Sequence, residues 1–279
     1  MRIDAALRDA RSRLASSPSA ALDAEVLLCH VLGQSRTFLF TWPERELDAQ
    51  QLSLFDALLL RRESGEPVAH LTGEREFFGR SFRVTSDTLI PRPDTETLIE
   101  AVLCLPLPAQ ARVVDLGTGT GAIGITLALE QPGWQVTLVD LSDAALQVAK
   151  HNAEQLKAPV QCLQGSWLAP CEGRFDLIVS NPPYIDGADH HLQEGDVRFE
   201  PRSALVAEDH GLADLAEIVG QASGKLEDGG WLMLEHGFDQ GEAVRQLLAD
   251  AGFLHVRTAR DLGNNERVSL GQWAGSHVE

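Results

Sequence analysis

Arg112-Val113-Val114-Asp115-Leu116-Gly117-Thr118-Gly119-Thr120-Gly121-Ala122-Ile123-Gly124 is the stretch on which the fold turns. An apolar strand runs into a turn with glycine at alternate positions, and Ala122 to Glu130 then reads as a helix. That is the first βα unit of a nucleotide-binding α/β sheet, in which glycine lets the backbone approach a ligand closely. Gly119, Gly121 and Gly124 also satisfy G-x-G-x-x-G, so a dinucleotide fold competes with this reading. The next strand, Gln135 to Val139, ends in Asp140. An acid about 20 positions past the glycines can accept both hydrogen bonds of a ribose diol, which suits either adenosine-containing cofactor.

Ser180-Asn181-Pro182-Pro183-Tyr184 follows a second apolar run, Phe175 to Val179, and so sits where another strand of the sheet runs out. Consecutive prolines cannot continue a ladder: each lacks an N–H and fixes φ near −65°. The Asn181 side-chain oxygen and the Pro182 carbonyl can accept from the two N–H bonds of one planar NH₂ group, with the Tyr184 ring stacked on the group that carries it. A Pro-rich turn with Asx chemistry is the plain alternative. A nicotinamide site gains nothing from an amine-gripping turn, whereas methyl transfer needs an amine held in line with a sulfonium. Asp115 and the Asn-Pro-Pro-Tyr turn together therefore favour S-adenosylmethionine, with S-adenosylhomocysteine as product, beside a planar nitrogen acceptor.

Three further stretches accompany these, with Ile185 extending the Asn181-Pro182-Pro183-Tyr184 turn: Gly65-Glu66-Pro67-Val68-Ala69-His70-Leu71-Thr72-Gly73-Glu74-Arg75-Glu76-Phe77, Leu89-Ile90-Pro91-Arg92-Pro93-Asp94-Thr95-Glu96 and Gly195-Asp196-Val197-Arg198-Phe199-Glu200-Pro201. In this order, over nearly the full length, the chain resembles the HemK/PrmC family of peptide chain release factor glutamine methyltransferases. The resemblance implies a seven-stranded, mostly parallel, Rossmann-like class I methyltransferase sheet with a small N-terminal helical bundle joined by a β-hairpin linker. It implies a docking bundle over 1–64, a linker over 65–86 and a catalytic domain over 87–279. It places cofactor binding at Asp115, Gly117, Thr118, Gly119, Thr120, Gly121, Asp140, Trp167 and Asn181. The acceptor falls to Asn181, Pro182, Pro183 and Tyr184, of which Asn181, Pro182 and Tyr184 are catalytic. The implied substrate is the glutamine of the Gly-Gly-Gln motif of class-1 release factors. Arg92 and Glu96 are expected over the methionine end of the cofactor, and Arg198 or Glu200 beside the acceptor pocket. Ser166 stands where the family often has Asp.

Bulk composition narrows the partners. The formal charge is −18, from 41 acids against 23 bases, so the chain lacks the Lys/Arg surplus that binds a polyanion by counterion release, and direct DNA binding is not expected. Hydrophobic residues make up 44 % of the chain, ample for a core. Cys29, Cys104, Cys162 and Cys171 show no paired spacing, which reads as reduced thiols in a cytoplasmic protein with no metal cage. No signal peptide or membrane span is read, and a monomer is expected.

Taken in order, residues 1 to about 64 read as helices. Ile3, Leu7, Ala10 and Leu14 form one stripe, Leu22, Val26 and Cys29 a second, and Leu52, Phe55, Leu58 and Leu59 another, with Gly33 a stop and Thr37 to Trp42 a short apolar piece. Glu76 to Val84 reads as a hairpin around a Gly-Arg turn, and Pro91 opens a helix to about Leu103. Ser142 should cap a helix to Lys157, and Trp167, after the strand Val160 to Gln164, can pack on an adenine face. Asp186 to Asp209 reads as a lid or binding loop, with His190 and His191 solvated in it. The remainder alternates: helix Gly211–Lys225, strand Trp231–Glu235, helix Gln240–Ala251, then strands His255–Ala259 and Arg267–Trp273, the last giving an antiparallel edge. An adenine-directed nucleic-acid methyltransferase, a nicotinamide oxidoreductase and an inert binding module are the rival functions.

Overall fold

The computed structural model describes residues 1–193 and 195–275. Glu194, within the expected lid loop, and residues 276–279, at the end of the expected catalytic domain, lie outside the described residues. The chain divides into two compact units, one of Met1–Glu74 with Gln193–Phe199, the other of Arg75–Leu192 with the chain from Glu200 onward.

The first unit is helical: α1 (Ile3–Arg13), α2 (Ala20–Leu32), α3 (Arg36–Thr41), α4 (Ala49–Glu63) and α5 (Val68–Thr72). Ile3, Leu7, Ala10 and Leu14 are buried as their spacing predicts, and Phe55 and Leu59 of α4 join the same core. The stripe expected on α2 is corrected. Ala24, Leu27 and Leu28 are buried, whereas Leu22 is 47 % exposed. Apolar residues surround most of α2, so their spacing selects no face; its two buried carboxylates do. Glu25 accepts from Arg11 at 2.7 Å and Arg36 at 2.6 Å, and Asp23 accepts from Arg62 at 2.9 Å. A buried carboxylate is tolerated when cations and hydrogen bonds surround it, which fixes the rotation of the helix. Thr37 to Trp42 is largely α3, and α5 is a turn of helix inside the expected linker. With Leu71 of α5 in the bundle core, this unit runs to Glu74 and not to 64. Residues 193–199 belong to it: Arg62 reaches Asp196 at 3.4 Å and Arg198 donates to the Ser64 carbonyl at 3.0 Å.

A hairpin follows, β1 (Glu74–Phe77) and β2 (Arg80–Arg83). Its turn residues are Phe78 (φ 49°) and Gly79 (φ 73°), with Arg80 already in β2, so the expected Gly-Arg turn is displaced by one residue. Two successive positive φ values match the right-handed twist of the flanking strands. After a 3₁₀ turn at Pro93–Thr95 come α6 (Glu96–Leu103), β3 (Arg112–Leu116), α7 (Ala122–Glu130), β4 (Gln135–Asp140), α8 (Asp143–Leu156), β5 (Val160–Gln164) and β6 (Phe175–Ser180). A short parallel ladder then joins β7 (Ile185–Asp186) to β8 (Val206–Ala207), so the expected lid loop is tied at both ends. The single turn α9 (Glu208–Gly211), with Asp209 and His210 left-handed, precedes α10 (Ala213–Ala222), β9 (Leu226–Glu235), α11 (Gly241–Asp250), β10 (Phe253–Arg260) and β11 (Glu266–Trp273).

Seven strands form one sheet in the order β10-β11-β9-β6-β3-β4-β5. Only β11 runs antiparallel, to β9 on one side and β10 on the other. It therefore lies one place in from the edge, which is β10, and not at the edge as expected. Within β3 the residues alternate between two cores, Val113 in the one with α6, α7 and α8, Val114 in the one with α10 and α11. Burial on both faces explains why the parallel strands read as unbroken apolar runs. Because β3 pairs with β4 and with β6, the strand order reverses at β3, and a crevice opens beyond the carboxyl ends of β3 and β6. Among the described residues no helix is long and apolar enough to cross a membrane.

Candidate active site

Leu116 and Ser180 stand opposite each other in the β3–β6 register, so the glycine turn and the Asn-Pro-Pro-Tyr turn leave the sheet side by side. The buried Ser180 hydroxyl donates to the Leu116 carbonyl at 2.8 Å and ties the two exits together. Gly117, Gly119 and Gly121 have φ of 64°, 54° and 81°, a region costly to any residue with a Cβ. Asp115 is fully buried beneath this turn; it accepts from the Thr118 hydroxyl at 2.5 Å and the Gly124 N–H at 3.0 Å. Burial pushes its carboxyl up to about 7, against those two hydrogen bonds. Asp140 accepts from the N–H of Gly119 and of Ser142, each at 2.9 Å, and its half-burial also raises its carboxyl. Ser142 caps α8 as predicted, accepting from the Ala145 N–H at 3.2 Å.

These exits line one cavity of about 530 Å³. Its lining takes Gly117, Thr118, Gly119 and Thr120 from the glycine turn, Asp140 from the end of β4, Gly165, Ser166 and Trp167 from after β5, Asn181 and Pro183 from after β6, and Arg92 and Thr95 from the segment before α6. Of the residues expected to bind cofactor, Asp115 and Gly121 lie outside the lining and act on the turn from beneath. Pro182 is buried and also outside it. Tyr184 departs furthest from expectation: its ring packs on the core shared with α10 and α11, and its hydroxyl points at Glu235, 3.5 Å away. Burial, then the Glu235 charge, drives that phenol's pKa up. Asn181 donates through Nδ2 to the Thr95 hydroxyl oxygen at 3.3 Å, while its Oδ1 is buried with no hydrogen-bond partner among the described residues.

S-adenosylmethionine fits this site on two observations. A Cβ on Gly117 would come within 3.3 Å of the Trp167 ring, and one on Gly119 would meet no atom within 4 Å among the described residues beyond its own chain neighbours, so the glycines keep a cradle open where backbone and an aromatic face converge. The unpartnered Asn181 oxygen supplies an acceptor in the same cavity, beside the glycine turn. Asp140 and Asn181, both in this lining, are polar groups that could fix an adenosine and an acceptor amine.

The residues beside the motifs sort cleanly. Glu200 is buried, pairs with Arg92 and accepts from the Ile90 N–H at 2.9 Å, so it holds the Pro91 turn against the cavity. Glu96 accepts from the Phe78 N–H at 2.9 Å and serves the hairpin; it does not line the cavity. Arg198 lies over the Phe199 ring, 4.9 Å from its centroid, also away from the lining. Sequence reasoning missed Thr95 and Glu235. Glu235 was read only as the last residue of a strand, and a lone acid ending an apolar strand is the signal that could have singled it out. Burial pushes its carboxyl up to about 7, with Thr95, Arg267 and Tyr184 pulling down and Asp94 adding to the rise.

A β10-β11-β9-β6-β3-β4-β5 sheet with a glycine cradle at its switch point defines the class I S-adenosylmethionine-dependent methyltransferases. Solved structures of this fold superpose on the chain: a methyltransferase from Pyrococcus furiosus (TM-score 0.55, 18 % identity, 79 % of this chain and 98 % of that one) and the hMettl16 catalytic domain in complex with the MAT2A 3′UTR hairpin 6 (0.57, 20 %, 80 % and 84 %). The family models described as PrmC N-terminal domain and methyltransferase small domain match residues 5–73 and 94–198. The release factor glutamine methyltransferase of Yersinia pestis is 55 % identical over 95 % of this chain and 96 % of its own length; that of Escherichia coli (strain K12) is 51 % identical over 96 % and 97 %. The chain belongs to the release factor glutamine methyltransferase family.

Proposed function

We propose that this chain transfers a methyl group from S-adenosylmethionine to the side-chain amide nitrogen of the glutamine in the Gly-Gly-Gln motif of class-1 peptide chain release factors. The observation that carries this reading is the buried, unpartnered Asn181 Oδ1 in the same cavity as the glycine cradle. When bound, S-adenosylmethionine supplies an electrophilic methyl group on a sulfonium. Asp140, Gly117, Thr118, Gly119, Thr120 and Trp167 would hold it, with Asp115 and Gly121 shaping the turn from below. An amide nitrogen is a poor nucleophile because its lone pair is delocalised. Asn181 Oδ1 and the Pro182 carbonyl, accepting from its two N–H bonds, favour a nitrogen that has begun to recover that pair. Pro183 forms the wall and Tyr184 buttresses the turn from the core side. Holding the nitrogen in line supplies much of the remaining acceleration.

The helical unit is assigned to docking the release factor, and the sheet unit to catalysis. The enzyme acts as a cytoplasmic monomer, without a metal and without binding DNA; the acidic charge supports the last point. The test is transfer of radiolabelled methyl from S-adenosylmethionine to purified release factor, to its Gly-Gly-Gln→Gly-Gly-Ala variant and to DNA. Label is expected in the first alone; label in DNA, or equal label in both proteins, overturns the reading.

A further inference from the structure

Consecutive prolines leave the acceptor turn short of anchors, since neither Pro182 nor Pro183 has an N–H with which to tie the backbone down. The peptide that joins Tyr184 to Ile185, immediately after them, is held through both of its groups. Its N–H donates to the Leu205 carbonyl at 2.9 Å, and its carbonyl accepts from Gln240 Nε2 at 3.0 Å. The same Nε2 donates to the His210 carbonyl at 3.2 Å, while Gln240 Oε1 accepts from the Gly237 N–H at 2.8 Å. Both the NH₂ group and the oxygen of this amide are engaged, and the surroundings admit one orientation: turned over, its oxygen would face two carbonyl oxygens. Gly211 leaves room for the bridge. A Cβ there would come within 2.1 Å of the Tyr184 oxygen and 2.7 Å of Gln240 Nε2.

Gln240 stands at the N-cap of α11, outside the cavity lining, and its two carbonyl partners flank the stretch from 185 to 209. That stretch brings Ser203 and Ala204 to the cavity and Glu200 to Arg92. On the methyl-transfer reading above, we infer that Gln240 is a positioning residue: by bridging the Tyr184 and His210 carbonyls it sets the Asn181 amide and the Pro182 carbonyl at the angle the acceptor nitrogen needs. It touches neither cofactor nor acceptor. Its loss should therefore lower turnover and leave the glycine turn as it was.

Three measurements test the bridge. Gln240→Met keeps the length of the side chain and removes its donors and acceptor; kcat on release factor should fall about tenfold to a hundredfold, with calorimetric affinity for S-adenosylhomocysteine within about threefold. A kcat within about threefold of the unaltered enzyme, or an affinity loss equal to the loss in kcat, overturns the proposal. Gln240→Glu keeps the shape and changes only the donors. Ionised, it meets both carbonyls oxygen to oxygen; protonated, it regains one O–H for Tyr184 and keeps an oxygen for the Gly237 N–H. Two facing carbonyl oxygens raise the pKa of such a carboxyl, so the ratio of its kcat to the unaltered value should drop about tenfold between about pH 5.5 and about pH 8.5. The neighbouring His210 ring, 2.9 Å from Asp186, is common to both enzymes and cancels in the ratio. A flat ratio overturns the bridge. The third measurement needs no substrate: hydrogen exchange at the Ile185 N–H should quicken by about tenfold in Gln240→Met while β3 and β4 keep their rates, and unchanged exchange at Ile185 overturns the bridge. If the unaltered protein methylates no release factor, the proposed function fails, and hydrogen exchange alone decides the inference.

Discussion

The two turns that leave the sheet at β3 and β6 line one cavity and are built on opposite plans. The glycine turn is held mostly from within its own neighbourhood: Asp115 fixes Thr118 and Gly124, and Asp140 at the end of the adjacent strand fixes Gly119. The Thr120 carbonyl, which accepts from Asn152 of α8 at 2.8 Å, and the Leu116 carbonyl, which accepts from Ser180, are held from further along the chain. The proline turn is held from afar. Thr95 secures Asn181, Glu235 faces Tyr184, and Gln240 donates to the Tyr184 carbonyl at 3.0 Å. A cradle for a shared cofactor can be one portable segment. A clamp for a particular acceptor draws its geometry from three separate elements.

The sharpest way to break this comparison is Asn181→Ala. Turnover on release factor should fall by about 10²–10³, the usual cost of an acceptor or donor aimed at the transition state, while calorimetric affinity for S-adenosylhomocysteine stays within about threefold. Equal losses in both would put the two turns on one function. Gly119→Val is the mirror experiment. A β-branched residue at φ 54° costs about 1–2 kcal/mol and projects into the cavity, so product affinity should drop by about tenfold or more.

A third test uses pH. Asp115 stands at about 7 when folded against an ordinary 3.8, so its protonated form is the one the fold favours. That contribution is complete below the ordinary value and is lost as pH rises through about 7. The Tm of the unaltered protein should therefore decline relative to Asp115→Asn between about pH 4 and about pH 8, read by thermal unfolding; a constant difference would mean that this carboxyl does not titrate in that window. The smallest effect is expected from Tyr184→Phe. A 3.5 Å contact is a weak hydrogen bond, and its loss should change kcat by about threefold or less at pH 8.

The same contrast explains what was legible in the sequence. The acids that fix the glycine turn, Asp115 and Asp140, lie within its own segment, so its motif, its strand and its helix could be read in one pass; the Asn152 amide of α8, which donates to the Thr120 carbonyl at 2.8 Å, could not. The Asn-Pro-Pro-Tyr turn announced itself by its prolines, yet its support did not: Thr95 and Glu235 lie 86 and 51 positions from their partners Asn181 and Tyr184. Tyr184 was expected in the cavity because an aromatic beside an amine grip suggests stacking; its ring instead packs on the core shared with α10 and α11. The error on α2 has the same root. Its apolar residues occur on every face, and the arginines that choose among the faces come from α1, α3 and α4. Local periodicity carries no information about cations that arrive from other helices.

The place of β11 has a consequence for synthesis on the ribosome. It enters between two strands made before it, pairing with β9 through Val268 to Gln272 and with β10 along its other side. Until those residues emerge, a nascent chain holds β9 with one backbone edge unsatisfied and β10 with no neighbour at all. Such bare edges are templates for pairing with another chain. Stalling just short of Glu266 should therefore yield a species that clings to chaperones or to its own kind, although both turns of the site have already been made.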